Sequence, residues 1–438
     1  MKSKIRTGYQ VSISGHRDGQ SLIEVMIGLV IGGVLIVAAI FAISAILQTN
    51  QTLQQSQAAS GLNQDLLNRM VGFAAADWQN VATLPAGAST AYFLVASGSV
   101  SFAVAGKEGV IDNDVTNGLV GRWGFDEASG AAAYDGTGNM NTGTLANGAL
   151  QAPSSSCWMG GCLYFSGLAD SGGGAKVTAA RAISFPGSFT FSHWVKTTSS
   201  ASQMYTIGNT VGANGYRFGF IVGRVAFLIG DGTTFTETTC STSTVADGGW
   251  HLLTGVFTRA ASSSVTCYID AVPQMTVSLP SSYAGMGSFA PTFGSPPCCA
   301  SLKGFLDDVR MYNRALSASE VKQIVGSNKF TRFFSLENVC RTTDASGTIA
   351  STLPSCSGGS ARDPSTLSAS VATQWQARTR SGEVRSNEVL VRSRNTVLWQ
   401  TDWSGSVAQG PLTEAGNGLA TSSGIGITSG GSLRVFGL

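Results

Sequence analysis

A single acidic residue lies inside the most apolar stretch of the chain. From Leu22 to Leu47 the only ionisable residue is Glu24. This run is long enough to cross a bilayer, because about 20 consecutive apolar residues suffice. A carboxylate within a membrane helix is costly and usually functional, so we expect a functional role for Glu24. The alternative is a side chain that reaches the membrane interface from near the start of the helix.

The segment before this run indicates how the chain is oriented and processed. Residues 1–19 are polar and basic, so they should stay cytoplasmic while everything after Leu47 lies outside. An ordinary signal peptide is cleaved after its apolar segment. Here the boundary between polar and apolar residues falls before that segment, at Gly19–Gln20.

The stretch GQSLIEVMIGLVIGGVLIVAAIFAISAIL, which begins at Gly19, resembles the class III signal of type IV pilins and pseudopilins. In that family a prepilin peptidase cuts after the glycine, and the new first residue, here Gln20, is N-methylated. The resemblance implies that Glu24, at the fifth mature position, pairs with the N-terminal ammonium of a neighbouring subunit. Gln20 and Asp18 depart from the family, which usually has Phe after the cut and often Lys or Arg before the glycine. We expect processing because Gly19, Glu24 and the apolar run match.

The helix is expected to continue beyond the apolar run, from about Ser21 to about Ala75. Its second half carries apolar residues near helical spacing, namely Leu53, Leu62, Leu66, Met70 and Phe73. The first half would pack in the membrane and later in the filament core. The second half would pack on a small sheet.

Two separated segments predict that sheet. Ala91–Ala96 and Val100–Val104 read as short strands, and residues 329–356 and 368–393 alternate apolar and polar side chains as half-buried strands do. This bracketing resembles pilin heads, and the resemblance implies a loop closed by Cys340 and Cys356. The head is expected to stop near Ile111 and resume near Lys329, because hairpin loops tolerate insertions.

Four segments between the two portions of the head resemble, in order and spacing, a laminin-G-like, concanavalin A-like jelly roll. They are LVGRWGFDEASGAAAYDGTGNMNTGTL, GSFTFSHWVK, GGWHLLTGVFTRAASSSVTCYIDA and GFLDDVRMYNRALSASEVKQI. Strand-like runs separated by Gly, Ser, Asn and Asp independently predict a two-sheet sandwich. Ser317 with Glu320 forms a capping-box pattern that predicts a short helix leading back to the head.

The resemblance to this domain implies calcium or glycan binding at loops. Candidate oxygen ligands are Asp126, Asp135, Asn139, Asn141 and Asp307, since calcium takes six to eight oxygens. The alternative is that these side chains cap turns by local hydrogen bonds, or, for Asp307 and Asp308, bind the first strand. Aromatic side chains that could stack on sugar rings, with core packing as the alternative, are Trp158, Tyr205, Tyr216 and Phe218.

All eight cysteines follow the apolar run, which favours disulfides in an oxidising compartment over free buried thiols. A zinc site is disfavoured because the chain has no CxxC pair and three histidines. Within the insert the pairing stays open. Cys157 with Cys162 could close a tight loop and Cys240 with Cys267 could join neighbouring strands, while the adjacent Cys298 and Cys299 could bridge elsewhere or to each other.

Composition and missing motifs narrow the function classes. Charged residues make up 12% of the 438 residues and the net charge is +2, so no dense basic patch exists to neutralise nucleic-acid phosphates. The ExD carboxylate pair of concanavalin-like glycosidases is absent from the sequence, as are HExxH, GxSxG and GxxxxGK. We therefore expect neither nucleic-acid binding nor enzymatic activity.

Together these patterns predict an α+β pilin, with a long N-terminal helix packed on a small antiparallel sheet, that carries an inserted all-β jelly-roll sandwich. The predicted domains are a leader (1–19), the N-terminal transmembrane and filament-core helix (20–75), the first head segment (76–117), the laminin-G-like insert (118–326), the second head segment (327–399) and a Gly/Ser-rich tail (400–438).

The predicted function is a minor type IV pilin-like filament subunit that presents an adhesion module, binding carbohydrate or protein, at the cell surface. The alternative is a pseudopilin of a type II secretion or DNA-uptake machine whose insert binds cargo or a partner protein. Expected partners are other pilin subunits, prepilin peptidase, the membrane and a surface glycan or protein. The precursor would cross the cytoplasmic membrane once, and calcium is the candidate cofactor.

Overall fold

The computed structural model describes residues 22–167, 174–211, 213–279, 288–295, 300–342, 349–353, 356, 360–376 and 381–392. The predicted leader, Gly19, Gln20, the pair Cys298 and Cys299, and the predicted tail lie outside the described residues.

Helix α1 runs from Leu22 to Ala76, which confirms the prediction of one helix from about residue 21 to 75. The chain divides within this helix into two compact units, Met1–Ala58 and Ala59–Leu438. In the described portion of the first unit, the large apolar side chains are exposed, Leu53 among them. In the second unit, a stripe at helical spacing is buried and comprises Leu66, Met70 and Phe73. Leu53 is therefore not in the buried stripe, contrary to its predicted place in the pattern.

The described residues form the following elements after α1. The helices are α2 (Gln79–Ala82), a short 3-10 turn (Ser154–Ser156) and α3 (Ala318–Gly326). The strands are β1 (Tyr92–Ser97), β2 (Val100–Ala105), β3 (Glu108–Ile111), β4 (Leu119–Trp123), β5 (Ala132–Ala133), β6 (Gly143–Ala146), β7 (Leu150–Gln151), β8 (Leu163–Ser166), β9 (Lys176–Ala179), β10 (Phe189–Thr197), β11 (Met204–Val211), β12 (Asn214–Ile221), β13 (Arg224–Asp231), β14 (Phe235–Thr244), β15 (Trp250–Thr258), β16 (Ser264–Ile269), β17 (Val272–Ser278), β18 (Thr292–Phe293), β19 (Lys303–Tyr312), β20 (Lys329–Thr342), β21 (Ile349–Leu353), β22 (Ser360–Gln376) and β23 (Ser381–Val391).

The head sheet has the strand order β2-β1-β20-β22-β23, with β3 and β21 also paired to β20. Its inner face packs on the buried stripe of α1, where Tyr92, Phe334 and Leu336 share a core with Leu66 and Met70. Strands β1 and β2 coincide with the predicted runs to within one residue at each end. Burial of apolar side chains between sheet and helix is what holds this region of the unit together.

The sandwich leaves and rejoins the head sheet on adjacent strands. Lys329 on β20 lies directly opposite Ile111 on β3 in an antiparallel pair. The two ends of the intervening chain are therefore held side by side, which is the geometry in which an antiparallel sheet accepts an insertion. The predicted domain boundaries themselves stay predictions.

Two antiparallel sheets of described strands form the sandwich. One has the order β17-β16-β15-β10-β19-β8-β7, with β4 paired to β19, and the other has the order β14-β13-β12-β11-β18-β9-β6-β5. The core between them is rich in aromatic rings, including Trp123, Phe191, Phe218 and Phe227. Aromatic side chains bury large apolar areas and stabilise such interfaces.

The central strands β10 and β15 are buried on both faces. The reason is helix α3, whose Val321 and Ile324 pack with Trp194 and Leu252 on the outer face of the first sheet. The predicted capping box of this helix is confirmed: Ser317 Oγ accepts from the Glu320 amide, and the Glu320 carboxylate accepts from the Ser317 amide. Helix α3 is followed by β20, so it returns the chain to the head as predicted.

Candidate functional site

Glu24 lies in the first turn of α1, where it is exposed among exposed apolar side chains. Among the described helices, α1 alone is long and apolar enough to cross a membrane, and its most apolar window contains no buried residue. A helix that exposes apolar residues all round is expected where lipid or other helices cover it. The functional role of Glu24 stays a prediction, and the cleavage site Gly19–Gln20 lies outside the described residues.

The first predicted ligand cluster forms a tight loop between β5 and β6. Asp135 Oδ1 accepts from the backbone amides of Thr137 (3.0 Å) and Arg122 (3.1 Å), and its Oδ2 accepts from the Asn141 amide (3.2 Å). The side-chain amides of Asn139 and Asn141 both donate to the Val120 carbonyl at 3.1 Å. The loop thus uses its polar side chains to cap a turn and join it to β4, which was the alternative to a calcium site.

Asp126 and Asp307 meet at a second loop, closed by the Cys157–Cys162 disulfide. Asp307 Oδ2 accepts from the amides of Trp158 (3.1 Å) and Met159 (3.0 Å). Asp126 accepts from the amides of Gly161 (2.7 Å) and Gly109 (2.9 Å), so it ties this loop to strand β3 of the head. The backbone of Gly160 lies so close to Asp126 that a side chain would not fit there, because a Cβ on Gly160 would lie 2.0 Å from Asp126 Oδ1.

Burial raises the pKa of Asp126 well above its ordinary value, against the opposing effect of the two amide donors. The pKa of Asp307 is raised for the same reason and also by the negative charge of Asp126. Each proton kept by these side chains reduces the cost of burying two carboxylates near each other.

Asp308 belongs to a buried charge network that the sequence reasoning did not identify. Its carboxylate accepts from Arg122 Nε (2.9 Å) on β4 and from Arg310 Nε (2.8 Å), and Arg310 also pairs with Asp114. Burial would raise the pKa of Asp308, but the guanidinium groups of Arg310 and Arg122 hold it below its ordinary value. For Asp308, the predicted alternative of a hydrogen bond to the first strand is therefore confirmed.

The predicted calcium ligands do not gather at one point. Asp135, Asn139 and Asn141 share one loop, whereas Asp126 and Asp307 lie at the other. Within the described ranges, no group of three or more His, Cys, Asp or Glu side chains is arranged to hold a metal ion. Calcium binding stays a prediction.

The aromatic side chains considered for sugar stacking differ in how far they are buried. Tyr205, Tyr216 and Phe218 are completely buried, so core packing, the commoner fate of such residues, holds for them and sugar stacking does not. Tyr216 and Phe218 pack in the core between the sheets, and Tyr205 packs in a separate cluster with Ala226 and Leu228. Trp158 is half-buried: its ring stacks on Trp194 with a centroid separation of 3.7 Å, and Lys329 Nζ lies 3.4 Å from its ring centroid.

The proposed cysteine pairs are present. Cys340 joins Cys356 in the head, Cys157 joins Cys162, and Cys240 on β14 joins Cys267 on β16. The last pair links the two sheets of the sandwich, from the edge strand β14 of one to β16, next to the edge strand of the other. Disulfides of this kind restrict the unfolded chain and suit an exported domain.

Two family models match the chain. The prokaryotic N-terminal methylation motif matches residues 15–47, and the concanavalin A-like lectin/glucanases superfamily matches residues 170–322. No curated protein was found that matches the chain.

Similar solved structures include domain 4 of AbnA, a GH43 extracellular arabinanase from Geobacillus stearothermophilus, in complex with arabinotriose. It shares 18% identity over 47% of this chain and 98% of that chain, with a TM-score of 0.38. The binding domain of Paraclostridial Mosquitocidal Protein 1 shares 12% identity over 64% of this chain and 76% of that chain, with a TM-score of 0.39. The binding domain of botulinum neurotoxin serotype D/C shares 9% identity over 60% and 73%, with a TM-score of 0.37.

The family matches agree with the elements described above: the methylation motif overlaps the apolar start of α1, and the superfamily match covers most of the sandwich strands. The chain therefore carries a prepilin-type N-terminal methylation motif and, after its long helix, a β-sandwich of the concanavalin A-like superfamily.

Proposed function

We propose that this chain is a minor type IV pilin-like filament subunit that displays its sandwich as an adhesion module at the cell surface. One observation carries the proposal: a methylation motif on an exposed apolar helix is joined, in one chain, to a lectin-like sandwich. The helix would anchor the precursor in the cytoplasmic membrane and later pack in a filament, with Glu24 paired to the N-terminal ammonium of a neighbouring subunit.

The way the sandwich is attached supports display. Because its two ends are paired at Ile111 and Lys329, the head sheet packs on α1 without interruption of its core. A subunit of this kind can join a filament through α1 while it carries an extra domain. The size of that domain would hinder regular packing of many copies, which favours a low-copy or tip position.

The sandwich is proposed to bind rather than to catalyse, since the sequence lacks the ExD carboxylate pair of concanavalin-like glycosidases. Its ligand would be a surface glycan or a protein. A glycan array probed with the full chain, with and without calcium, separates these possibilities. Binding to defined glycans supports a lectin role, and an array without signal under both conditions leaves a protein ligand.

Localisation tests the display proposal. Antibodies against the sandwich should label sheared surface filaments, and Glu24→Gln should reduce incorporation of the subunit because the neutral amide cannot pair with an ammonium. Glu388→Gln, an exposed position on β23, is the matched control and should incorporate normally. Retention of the chain in the envelope, together with a secretion or DNA-uptake machine, would contradict display and favour the pseudopilin alternative.

A further inference from the structure

A cavity of about 300 Å³ lies where the head meets the sandwich. Its wall comprises α1 at Leu62, strand β1 at Phe93, strand β3 at Glu108 and the segment after β4 at Glu127. Its volume is at the lower end of the range of small-molecule pockets, roughly 300 to 1,000 Å³. The side chain of Asp65, which also lines it, is 56% exposed, so the cavity is accessible from solvent.

Glu127 is the unusual residue of this wall. It is 5% exposed, and its Oε1 accepts from the Tyr134 amide at 2.7 Å. Its Oε2 is buried and has no hydrogen-bond partner among the described residues. A buried polar atom without a partner costs free energy, and a charged one costs more. Burial accordingly raises the pKa of Glu127 to about 7, although the Tyr134 amide opposes this shift.

Three arginines line the cavity, and all are engaged with other groups. Arg69 donates to the Leu94 carbonyl (3.0 Å). Arg332 donates to Glu108 (2.7 Å) and Asp65 (2.8 Å). Arg122 donates to Asp308 (2.9 Å) and to the Gly109 carbonyl (2.9 Å). None of these arginines has a contact to the Oε2 atom of Glu127 within hydrogen-bond distance in the described ranges of the chain. Glu127 thus lines a cavity in which no described cation pairs with its Oε2.

Two features of the wall favour an organic cation over a metal ion. Calcium requires six to eight oxygens, but both oxygens of the neighbouring Asp126 are occupied by the amides of Gly161 and Gly109. The wall also contains the apolar side chains of Phe93, Val95 and Phe125, against which a carbon skeleton can pack. A protonated amine would give the Glu127 oxygen a hydrogen-bond donor and a positive charge.

We propose that this cavity binds a small organic molecule that carries a protonated primary amine, with Glu127 as its counter-ion. The site is built jointly by the head and the sandwich, so neither contains it alone. This inference is independent of the filament function, because display requires α1 and Glu24 but not an occupied cavity.

The test is calorimetric titration of the full chain, in detergent micelles near neutral pH, with n-butylamine, glucosamine and 1,4-diaminobutane. We expect saturable one-to-one binding of at least one amine. The neutral counterparts 1-butanol and glucose should not bind. Glu127→Gln should weaken binding about tenfold or more, which corresponds to about 1.4 kcal/mol, while Glu388→Gln should bind as the unaltered protein does.

A second variant keeps the test valid if Glu127→Gln does not fold. Gly136 lines the cavity, and a Cβ there would make one ordinary contact, 3.7 Å from the Arg122 carbonyl oxygen. Gly136→Leu should therefore fill the cavity and abolish amine binding while Glu127 is retained. The proposal is overturned if no amine binds, if both variants bind amines as the unaltered protein does, or if calcium chloride alone binds in a manner that depends on Glu127.

Discussion

Replacing Glu127 by glutamine should change how the stability of the head and sandwich depends on pH. The folded protein raises the pKa of Glu127 from its ordinary 4.5 to about 7 by burial. Between these values the folded state holds a proton that the unfolded state has lost. Its stability must therefore fall as the pH rises through this window. Glutamine does not titrate, so the variant lacks this contribution.

The magnitude follows from the size of the shift. Each pKa unit corresponds to about 1.36 kcal/mol, so the full effect is on the order of 3 kcal/mol. As the pH rises from about 4.5 to about 7, the free energy of unfolding of the unaltered protein should fall by this amount relative to that of Glu127→Gln. The negative charge of Glu127 also raises the pKa of Asp126, so the contribution of Asp126 cancels only in part in the difference.

The assay is urea unfolding of the full chain in detergent, followed by tryptophan fluorescence at several pH values without added amine. Buried Trp123 and Trp194 report on the sandwich. Glu388→Gln, the same substitution at an exposed position, is the control. A difference between Glu127→Gln and the unaltered protein that stays constant within about 0.5 kcal/mol would refute the reasoning, because it would mean that Glu127 is not desolvated in the folded state.

Two further substitutions test the internal contacts. Asp308→Asn should lower the free energy of unfolding by about 3 to 5 kcal/mol at neutral pH, because it leaves the buried Arg310 and Arg122 without their shared carboxylate. Because the folded-state pKa of Asp308 is depressed, its contribution is present above its ordinary value of 3.8 and is lost as the pH falls below it. Urea unfolding measures this loss, and a change under about 1 kcal/mol would show that the network contributes little. Ser317→Ala should cost about 1 kcal/mol by removal of the cap of α3, as measured by thermal unfolding, and an unchanged melting temperature would contradict that estimate.

Local patterns predicted much of the fold. The spacing of Leu66, Met70 and Phe73 indicated the face of α1 that packs on the sheet, and the Ser317–Glu320 pair indicated the start of α3. These signals act between residues close in sequence, so they can be read without the fold. Strand patterns also stop near Ile111 and resume near Lys329, and these two residues are paired across β3 and β20.

Features that depend on distant residues were predicted only in outline: the first strand was a candidate partner of Asp308, but Arg122 was not identified. Arg122 and Asp308 are 186 residues apart, and only the pairing of β4 with β19 brings them together. Tyr216 is buried between the two sheets and Tyr205 in a separate cluster with Ala226 and Leu228, and alternation along one strand does not reveal these partners. The cavity that Glu127 lines likewise depends on the meeting of head and sandwich, which neither pattern implies.

The N-terminus of the surface form tests the central claim most directly. Filaments sheared from cells that express the full chain can be purified, and the first residue of this subunit can be identified by mass spectrometry of its N-terminal peptide. We predict a peptide that begins at Gln20, carries an N-methyl group and retains Glu24. A surface form that still begins at Met1, or one cleaved after Leu47, would contradict a pilin-like subunit built on this helix.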